Sequence, residues 1–286
     1  MGFYEKNILR KLAKSPLRYP GGKSRAIKQI LPLIPHNITE YREPFVGGGS
    51  VFFAIRSVFQ KLIHSYWIND LNYDLYCFWK QTRDNVTELV DKLIDTKIKY
   101  DNDGKSLFDE LARMRDTLCE NKQILPEFER AVRYFILNRI TFSGIVDSGG
   151  YSQSAYESRF TDSSISRVKM VSPYLSGVNI TCGDYVDALF QEGENVYIFL
   201  DPPYWKAKES KLYGAKGSLH TSFDHIEFAE NMKKCPHKWL ITYDDSPKIR
   251  ELFNFADIQE WTLQYGMNNY KKDSAAKGNE LFIKNY

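Results

Sequence analysis

The stretch Asp201-Pro202-Pro203-Tyr204 contains the residue types with the clearest chemical use in this sequence. A carboxylate accepts hydrogen bonds, and an aromatic ring stacks on flat ligands. Two consecutive prolines fix φ and push the residue before each of them into extended geometry, so the stretch forms a stiff corner. This pattern favours a functional site over the alternative, a strand that ends at a proline stop beside a solvated aspartate.

A buried strand must position this corner. Val196 to Leu200 is an uninterrupted apolar run of β-branched, aromatic and leucine residues, which predicts a strand buried on both faces. Asp201 stands where the run stops, and the prolines prevent the strand from continuing. Since open α/β sheets bind ligands at the carboxyl ends of their strands, we expect the site at this edge of a sheet.

Three other segments add to the same edge. The glycines Gly47–Gly49 lie between a short strand pattern and a helix pattern, and residues without a Cβ let a ligand lie against the backbone. Asp70 ends a second strand 23 residues after Gly47, where an acid can accept both hydroxyls of a ribose. Gly183-Asp184 follows a third predicted strand, 178–182. The spacing predicts a nucleoside site and leaves open whether the nucleoside belongs to NAD, ATP or S-adenosylmethionine.

The rest of the chain predicts a mostly parallel sheet that carries a helical insertion. Apolar residues recur at helical spacing through much of 71–137, whereas 138–170 is polar and serine-rich and predicts a loop or hairpin. Residues 206–222 favour a mobile loop over the site. Two terminal strands, near 258–263 and 280–286, should form a hairpin. We therefore expect an α/β fold with an antiparallel edge.

Composition limits the possible classes of protein. The chain has 286 residues, 43% hydrophobic and 26% charged, as in ordinary globular proteins. Its net charge is +3, but residues 1–28 carry eight basic side chains against one acidic, which suits a polyanion or a solvated terminus equally well. The four cysteines lack CxxC spacing, so neither a disulfide framework nor a metal site is indicated. No apolar run could cross a membrane, and we expect a soluble, cytoplasmic protein.

Taken together, these motifs resemble the Dam-type DNA adenine N6-methyltransferases, the D12 class (class alpha), in which the glycine motif precedes the recognition region and Asp-Pro-Pro-Tyr follows it. The resemblance extends from about residue 16 to the C-terminus. The segments that carry it occur in the family's order: Arg18-Tyr-Pro-Gly-Gly-Lys23, Glu43-Pro-Phe-Val-Gly-Gly-Gly-Ser50, Ile68-Asn-Asp-Leu-Asn72, Cys182-Gly-Asp184 and Asp201-Pro-Pro-Tyr204.

The resemblance implies a Rossmann-like S-adenosylmethionine-dependent methyltransferase sheet and a set of cofactor contacts. The residues that it places against the cofactor are Tyr19, Lys23, Phe45, Gly47, Gly49, Asp70, Asp184 and Asp201. Asp70 would hold the ribose, and Asp184 would lie near the adenine ring of the cofactor. Tyr19 departs from the tryptophan of enterobacterial relatives but keeps a ring that can stack.

The resemblance also implies duplex DNA as partner and a division into two domains. Residues 1–70 and 171–286 would form the catalytic domain, and 71–170 a helical target-recognition domain with a hairpin loop. The residues expected to contact DNA are Asn138, Arg139, Ser143, Gly144 and Tyr151. Asp147-Ser148-Gly149-Gly150 replaces the family's basic continuation, so GATC is only a first expectation for the target sequence. A monomer is expected, with a weak dimer on DNA as the alternative.

The chemistry of the corner fits this family. The N6 lone pair of adenine is delocalised into the ring, and hydrogen bonds from N6 to Asp201 and to the carbonyl of Pro202 would favour a tetrahedral nitrogen that attacks the methyl group. No metal is needed. The base must leave the duplex, and Tyr204 is expected to stack on it. The rival interpretations are methylation of cytosine N4 or of a protein glutamine, and a nucleic-acid-binding module without chemistry.

Overall fold

A seven-stranded mixed sheet forms the centre of the protein. The computed structural model describes residues 12–121, 125–205, 223–264 and 277–286. The strands are β1 (Glu40–Glu43), β2 (Ser65–Asp70), β3 (Asn179–Cys182), β4 (Val196–Leu200), β5 (Lys238–Asp244), β6 (Asp257–Gln264) and β7 (Lys277–Lys284). Their order is β3-β2-β1-β4-β5-β7-β6. The first five are parallel, and β7 is antiparallel to both β5 and β6, as the sequence predicts.

The strand that precedes the Asp-Pro-Pro-Tyr corner lies in the interior of the sheet. All five residues of β4 are buried, and β4 pairs with β1 on one side and with β5 on the other. Tyr197 and Phe199 pack in one apolar cluster, while Ile198 and Leu200 pack in the cluster on the opposite face. The prediction of a strand buried on both faces is therefore confirmed.

Helices cover both faces of the sheet. They are α1 (Ile27–Ile30), α2 (Ser50–Phe59), α3 (Tyr73–Asp84), α4 (Val86–Lys99), α5 (Gly104–Asn121), α6 (Glu127–Ile140), α7 (Gln153–Arg159), α8 (Asp162–Leu175), α9 (Tyr185–Phe190), α10 (His225–Lys234) and α11 (Pro247–Leu252). None of the described helices has both the length and the apolar composition that crossing a membrane requires.

Within the helical segment between β2 and β3, packing and buried charge join α3 to α6. Phe78 on α3 stacks on Phe135 of α6 with ring centroids 5.8 Å apart. The Asp74 carboxylate accepts a hydrogen bond of 2.6 Å from Arg130 and pairs with Arg133 as well. These contacts hold α6, and the loop after it, in a fixed position relative to α3.

The prediction of a long polar loop up to residue 170 is wrong for its second half, which forms α7 and α8. Ser152 caps α7 by accepting from the N–H of Ala155, and Thr161 forms a capping box with Ser164 at the start of α8. Serine and threonine favour helix N-caps as well as loops, so their abundance was misleading. Two predictions, the loop at 206–222 and the hairpin connection before β7, lie outside the described residues.

The strand order creates a switch point between β1 and β4. From β1 the chain builds the sheet outward through β2 and β3, and then returns to add β4 on the other side of β1. Ligands of open α/β sheets bind where the strand order reverses, outside the carboxyl ends of the strands. The corner at Asp201 follows β4 at this point.

Candidate active site

A cavity of about 700 Å³ opens at the carboxyl ends of β1, β2, β3 and β4. A volume of this size accommodates a small-molecule ligand. The residues singled out from the sequence that line it are Tyr19, Lys23, Phe45, Gly47, Asp70, Ser143, Asp184, Asp201, Pro202, Pro203 and Tyr204. Gly49 does not line the cavity: it precedes α2 with φ +68°, and a Cβ there would lie 3.1 Å from the ring of Phe53.

The Asp201 carboxylate is held by two side chains. The Lys23 ammonium lies 2.7 Å from Oδ1 and donates a hydrogen bond of 2.8 Å to Oδ2. The Thr242 hydroxyl donates to Oδ1 over 2.7 Å. Lys23 is only 4% exposed, so this ion pair is shielded from solvent on one side. Asp201 is thus oriented towards the cavity, and an incoming amino group must displace or share a hydrogen bond from Lys23.

Tyr204 is fixed at its hydroxyl and along its ring. The hydroxyl donates a hydrogen bond of 2.8 Å to Glu280, a fully buried residue of β7. Its ring stacks on Tyr243, with centroids 5.8 Å apart, and the Lys23 ammonium lies 4.8 Å from its centre. The C-terminal strand therefore supports the aromatic member of the corner.

The glycine turn after β1 packs on Tyr19. Gly47 has φ +46°, and a Cβ there would lie 2.7 Å from the Tyr19 ring. A Cβ on Gly48 would come equally close to the Cβ of Tyr19, at 2.7 Å. Larger residues would push this ring out of place, so the turn fixes one wall of the cavity.

Asp70 is oriented by the backbone. Its carboxylate accepts hydrogen bonds from the N–H of Gly47 at 2.9 Å and from the N–H of Asn72 at 3.0 Å. Burial raises the pKa of Asp70 to about 6, although these N–H groups act in the opposite direction. The turn after β1 and the acid after β2 are thus joined directly.

Glu43 is a second buried acid at the cavity. The Tyr41 hydroxyl donates to its Oε2 over 2.5 Å. Burial raises the pKa of Glu43 well above its ordinary value, and the negative charges of Asp201 and Asp70 raise it further. A protonated Glu43 adds no negative charge to those of Asp70 and Asp201.

An aromatic wall faces the acids, and sequence reasoning identified only Phe45 from it. Phe45 stacks on Tyr185 with centroids 5.4 Å apart and meets Phe223 edge-on at 5.8 Å. Tyr185 and Phe223 also line the cavity. The sequence signal for Tyr185 was its position directly after Asp184, which caps α9 by accepting from the N–H of Val186 at 2.9 Å.

The residues expected to contact DNA are distributed unevenly. Only Ser143 lines the cavity; it has φ +57° in the turn Phe142–Gly144 after α6. Tyr151 lies further away, with its hydroxyl bonded to Gln153. A Cβ on Gly144, at φ +76°, would lie 2.7 Å from the carbonyl oxygen of Arg18.

Asn138 has a structural task in this turn. Its amide accepts from the N–H of Arg18 at 2.9 Å and donates to the carbonyls of Arg18 and Gly144 at 2.6 and 3.0 Å. The residue is fully buried, so a direct contact with DNA would require these hydrogen bonds to break. Arg139 is buried too, and its direct contact with DNA remains a prediction.

Thr242 and Glu280 are functional candidates that sequence reasoning missed. The register of β4 with β5 aligns Leu200 with Ile241, which places Thr242 beside Asp201. The register of β5 with β7 aligns Asp244 with Glu280. Thr242 is 41 residues from Asp201 in the sequence, and Glu280 is 76 residues from Tyr204. Both contacts depend on strand pairing, which local patterns do not reveal.

The residues present suit a nucleoside with a charged tail. An acid oriented by two backbone N–H groups matches a ribose, the wall of Phe45 and Tyr185 matches a base, and Lys23 adds a cation. Within the described ranges, no group of three or more His, Cys, Asp or Glu side chains has the geometry of a metal site.

Comparison with known proteins identifies relatives along nearly the whole chain. The family model for D12 class N6 adenine-specific DNA methyltransferases matches residues 19–267. The Type II methyltransferase M1.LlaDCHI of Lactococcus lactis subsp. cremoris is 26% identical over 94% of this chain and 94% of its own length. The Type II methyltransferase M.MjaIII of Methanocaldococcus jannaschii is 28% identical over 94% of this chain and 98% of its own. The DNA N-6-adenine-methyltransferase of Escherichia phage P1 is 27% identical over 84% of this chain and 31% of its own.

Proposed function

The chain belongs to the D12 class of N6 adenine-specific DNA methyltransferases, and we propose that it transfers the methyl group of S-adenosylmethionine to an adenine flipped out of duplex DNA into the cavity at Asp201. The observation that carries the proposal is the placement of Asp201. Its carboxylate lies at the switch point of the sheet, in the same cavity as the predicted nucleoside residues.

The residues proposed to hold the cofactor are those that the sequence indicated, together with the N–H of Asn72 and the ring of Tyr185. Asp70 accepts the ribose hydroxyls while the N–H groups of Gly47 and Asn72 hold it in place. Phe45 and Tyr185, which stack on each other, would form one wall against the adenine ring of the cofactor, near Asp184. Tyr19 and Lys23 line the part of the cavity that leads from the glycine turn to Asp201, and Gly49 supports this turn from behind.

The bound cofactor supplies a methyl group on a sulfonium, which is activated towards nucleophiles. Asp201 accepts one N6–H of the target adenine, and the carbonyl of Pro202 accepts the other. These hydrogen bonds favour a tetrahedral nitrogen whose lone pair is free, which is preorganisation without a covalent intermediate. Pro203 keeps the corner stiff, and Tyr204 stacks on the flipped base.

Thr242 and Lys23 position the carboxylate for this task. The Thr242 hydroxyl fixes Oδ1, so the remaining acceptor capacity of Asp201 points towards the cavity. The Lys23 ammonium donates a hydrogen bond to Oδ2 of Asp201 in the structure. When the N6 amino group of adenine binds, it shares this oxygen with Lys23. Sharing the carboxylate keeps the buried Lys23 paired, which avoids the cost of an uncompensated charge.

The helical segment between β2 and β3 is assigned to DNA recognition. Ser143 lies at the cavity, and the turn Phe142–Gly144 joins the segment to Arg18. The proposed division has residues 71–170 as the recognition domain, with 1–70 and 171–286 as the catalytic domain. GATC remains the first sequence to test, and the Type II names of two relatives support a role in restriction–modification.

Modification mapping tests the proposal directly. Long-read sequencing of a methylation-free host that expresses the protein should show N6-methyladenine in one short sequence context. Asp201→Ala should lose this mark, because the amino group has no acceptor, while affinity for the mapped duplex stays within a few-fold.

The control is Asp91→Ala, which removes an exposed acid in the middle of α4 and should leave the mark intact. Full methylation by the Asp201→Ala protein would exclude Asp201 from the mechanism. A mark on cytosine N4 would contradict the assignment of adenine as target.

A further inference from the structure

Four arginines from separate segments lie close enough for their charges to act on one another, beside the turn Phe142–Gly144. Arg18 precedes the cavity residue Tyr19, Arg139 lies in the last turn of α6, Arg159 ends α7, and Arg167 lies on α8. We refer to these four residues as the arginine cluster. Within the described ranges, none of the four forms a salt bridge with a carboxylate.

Arg139 is the buried member of the cluster. It is only 4% exposed, and its guanidinium lies 5.3 Å from the ring of Phe135. Its Nε is fully buried and has no hydrogen-bond partner among the described residues. An unpaired buried cation destabilises a protein, so a bound anion that compensated its charge would be stabilising.

The neighbours of Arg139 increase this electrostatic cost. Burial lowers the pKa of Arg139 to about 9, and the positive charges of Arg167, Arg18 and Arg159 lower it further in the same direction. Burial and the charge of Arg159 also lower the pKa of Arg18. In the part of the chain that the structure describes, the buried Nε of Arg167 likewise lacks a partner. The cluster therefore concentrates positive charge, and no described carboxylate accepts a hydrogen bond from its buried Nε donors.

The cluster adjoins the mouth of the cavity. A side-chain nitrogen of Arg18 donates to the carbonyl of Thr141 at 3.3 Å, and Asn138 bonds both the N–H and the carbonyl of Arg18. These bonds join Arg18 to the turn that carries Ser143 into the cavity wall. A ligand in the cluster would thus sit next to whatever enters the cavity.

We infer that the arginine cluster is a preformed site for one backbone phosphate of the DNA strand that delivers the target nucleotide. Guanidinium groups match the geometry of phosphate oxygens and bind them through paired, charge-assisted hydrogen bonds. A phosphate bound here would neutralise the buried charge of Arg139 and fix the strand beside the cavity, without reading its sequence. The inference rests on the proposed function, because it needs DNA at this face.

A phosphate scan combined with variants tests the inference. Each phosphate of the mapped duplex is replaced in turn by an uncharged methylphosphonate, and affinity is measured for the wild type, for Arg167→Ala and for Lys169→Ala. Lys169 is exposed on the same helix and carries the same charge, so it is the matched control. At one phosphate near the target, the substitution should weaken wild-type binding about tenfold and Arg167→Ala binding much less. The salt slope of Arg167→Ala should fall by about 0.9, the value for one phosphate contact.

Arg139→Met gives a second readout that a purely structural arginine would not give. Because the native charge is buried and unpaired, its loss should leave the melting temperature unchanged or raise it, while DNA binding weakens. A lower melting temperature with unchanged DNA affinity would show a structural role and overturn the inference.

Two other results would also overturn it. One is a scan in which no phosphate is coupled to Arg167, or in which Lys169→Ala behaves like Arg167→Ala. The other is stabilisation of the wild type, but not of Arg167→Ala, by inorganic phosphate when no coupled DNA position exists, which would assign the cluster to a small free anion. Absence of methylation by the wild type would refute the proposed function instead, so the two failures are distinguishable.

Discussion

At the residue scale, three of the acids that line the cavity, Glu43, Asp70 and Asp201, have different states because their surroundings differ. Glu43 is buried against the Tyr41 hydroxyl, and its raised pKa favours the protonated form. Asp70 is held by backbone N–H groups and titrates at about 6. Asp201 pairs with the buried Lys23. Of these three acids, one is thus balanced by a cation, one is available for hydroxyls, and one favours its neutral form.

Cofactor binding should depend on pH through Asp70. The charged form of Asp70 accepts the ribose hydroxyls. Because burial raises the pKa of Asp70 to about 6, this form predominates above pH 7 and is lost as the pH falls through 6. Affinity for S-adenosylhomocysteine, measured by calorimetry, should therefore fall about tenfold for each pH unit below 6. Asp70→Asn keeps the shape but does not titrate, so its weaker binding should be flat from pH 5 to 8. An equally steep dependence in that variant would assign the titration to another group.

At the scale of the elements, the turn Phe142–Gly144 links recognition to catalysis. Asn138 on α6 bonds Gly144 at one end and Arg18 at the other, and Ser143 between them lines the cavity. Ser143 and Gly144 both have positive φ, which turns the chain sharply after the helix. A helix in the recognition segment therefore sets the position of a cavity residue through one buried amide.

Gly144→Ala should destabilise this turn by more than the backbone conformation alone requires. Gly144 has φ +76°, and a Cβ there would lie 2.7 Å from the carbonyl oxygen of Arg18. Gly177→Ala is the matched control, since it has φ +70° but nothing within 4 Å. The control should lose about 1 kcal/mol of unfolding free energy and Gly144→Ala about 2–3 kcal/mol, with weaker DNA binding. Equal losses in chemical denaturation would show that the turn moves to accept the methyl group.

The elements also show where sequence patterns suffice and where they do not. Strand β4 was predictable because five consecutive apolar residues need burial on both faces. Asp70 and the glycine turn were predictable as a pair because their spacing reflects one βαβ unit. Helices α7 and α8 were not, since Ser152 and Thr161 favour loops and helix caps alike. Contacts such as Thr242 with Asp201 require the strand register, which exists only in the folded sheet.

At the scale of the whole molecule, the site draws on both ends of the chain. Lys23 near the start pairs with Asp201, and Glu280 near the end accepts from Tyr204. This arrangement follows from the sheet, because β7 inserts between β5 and β6 and places its buried residues behind the corner. The corner is therefore stiff for two reasons: its own prolines, and a strand 76 residues further along the chain.

Glu280 should influence methyl transfer through the Tyr204 hydroxyl, and a double-mutant cycle can measure this coupling. Tyr204→Phe removes the hydroxyl, and Glu280→Gln replaces the accepting carboxyl group by an amide. Each should lower kcat/KM and the fluorescence of 2-aminopurine at the target position, because the ring is less firmly held. The double variant should be little worse than the more impaired single variant, with a coupling of about 1–2 kcal/mol. Glu260→Gln, an exposed acid on the adjacent β6, is the control and should match the wild type. Additive losses in the double variant would show that Glu280 acts on stability and not through Tyr204.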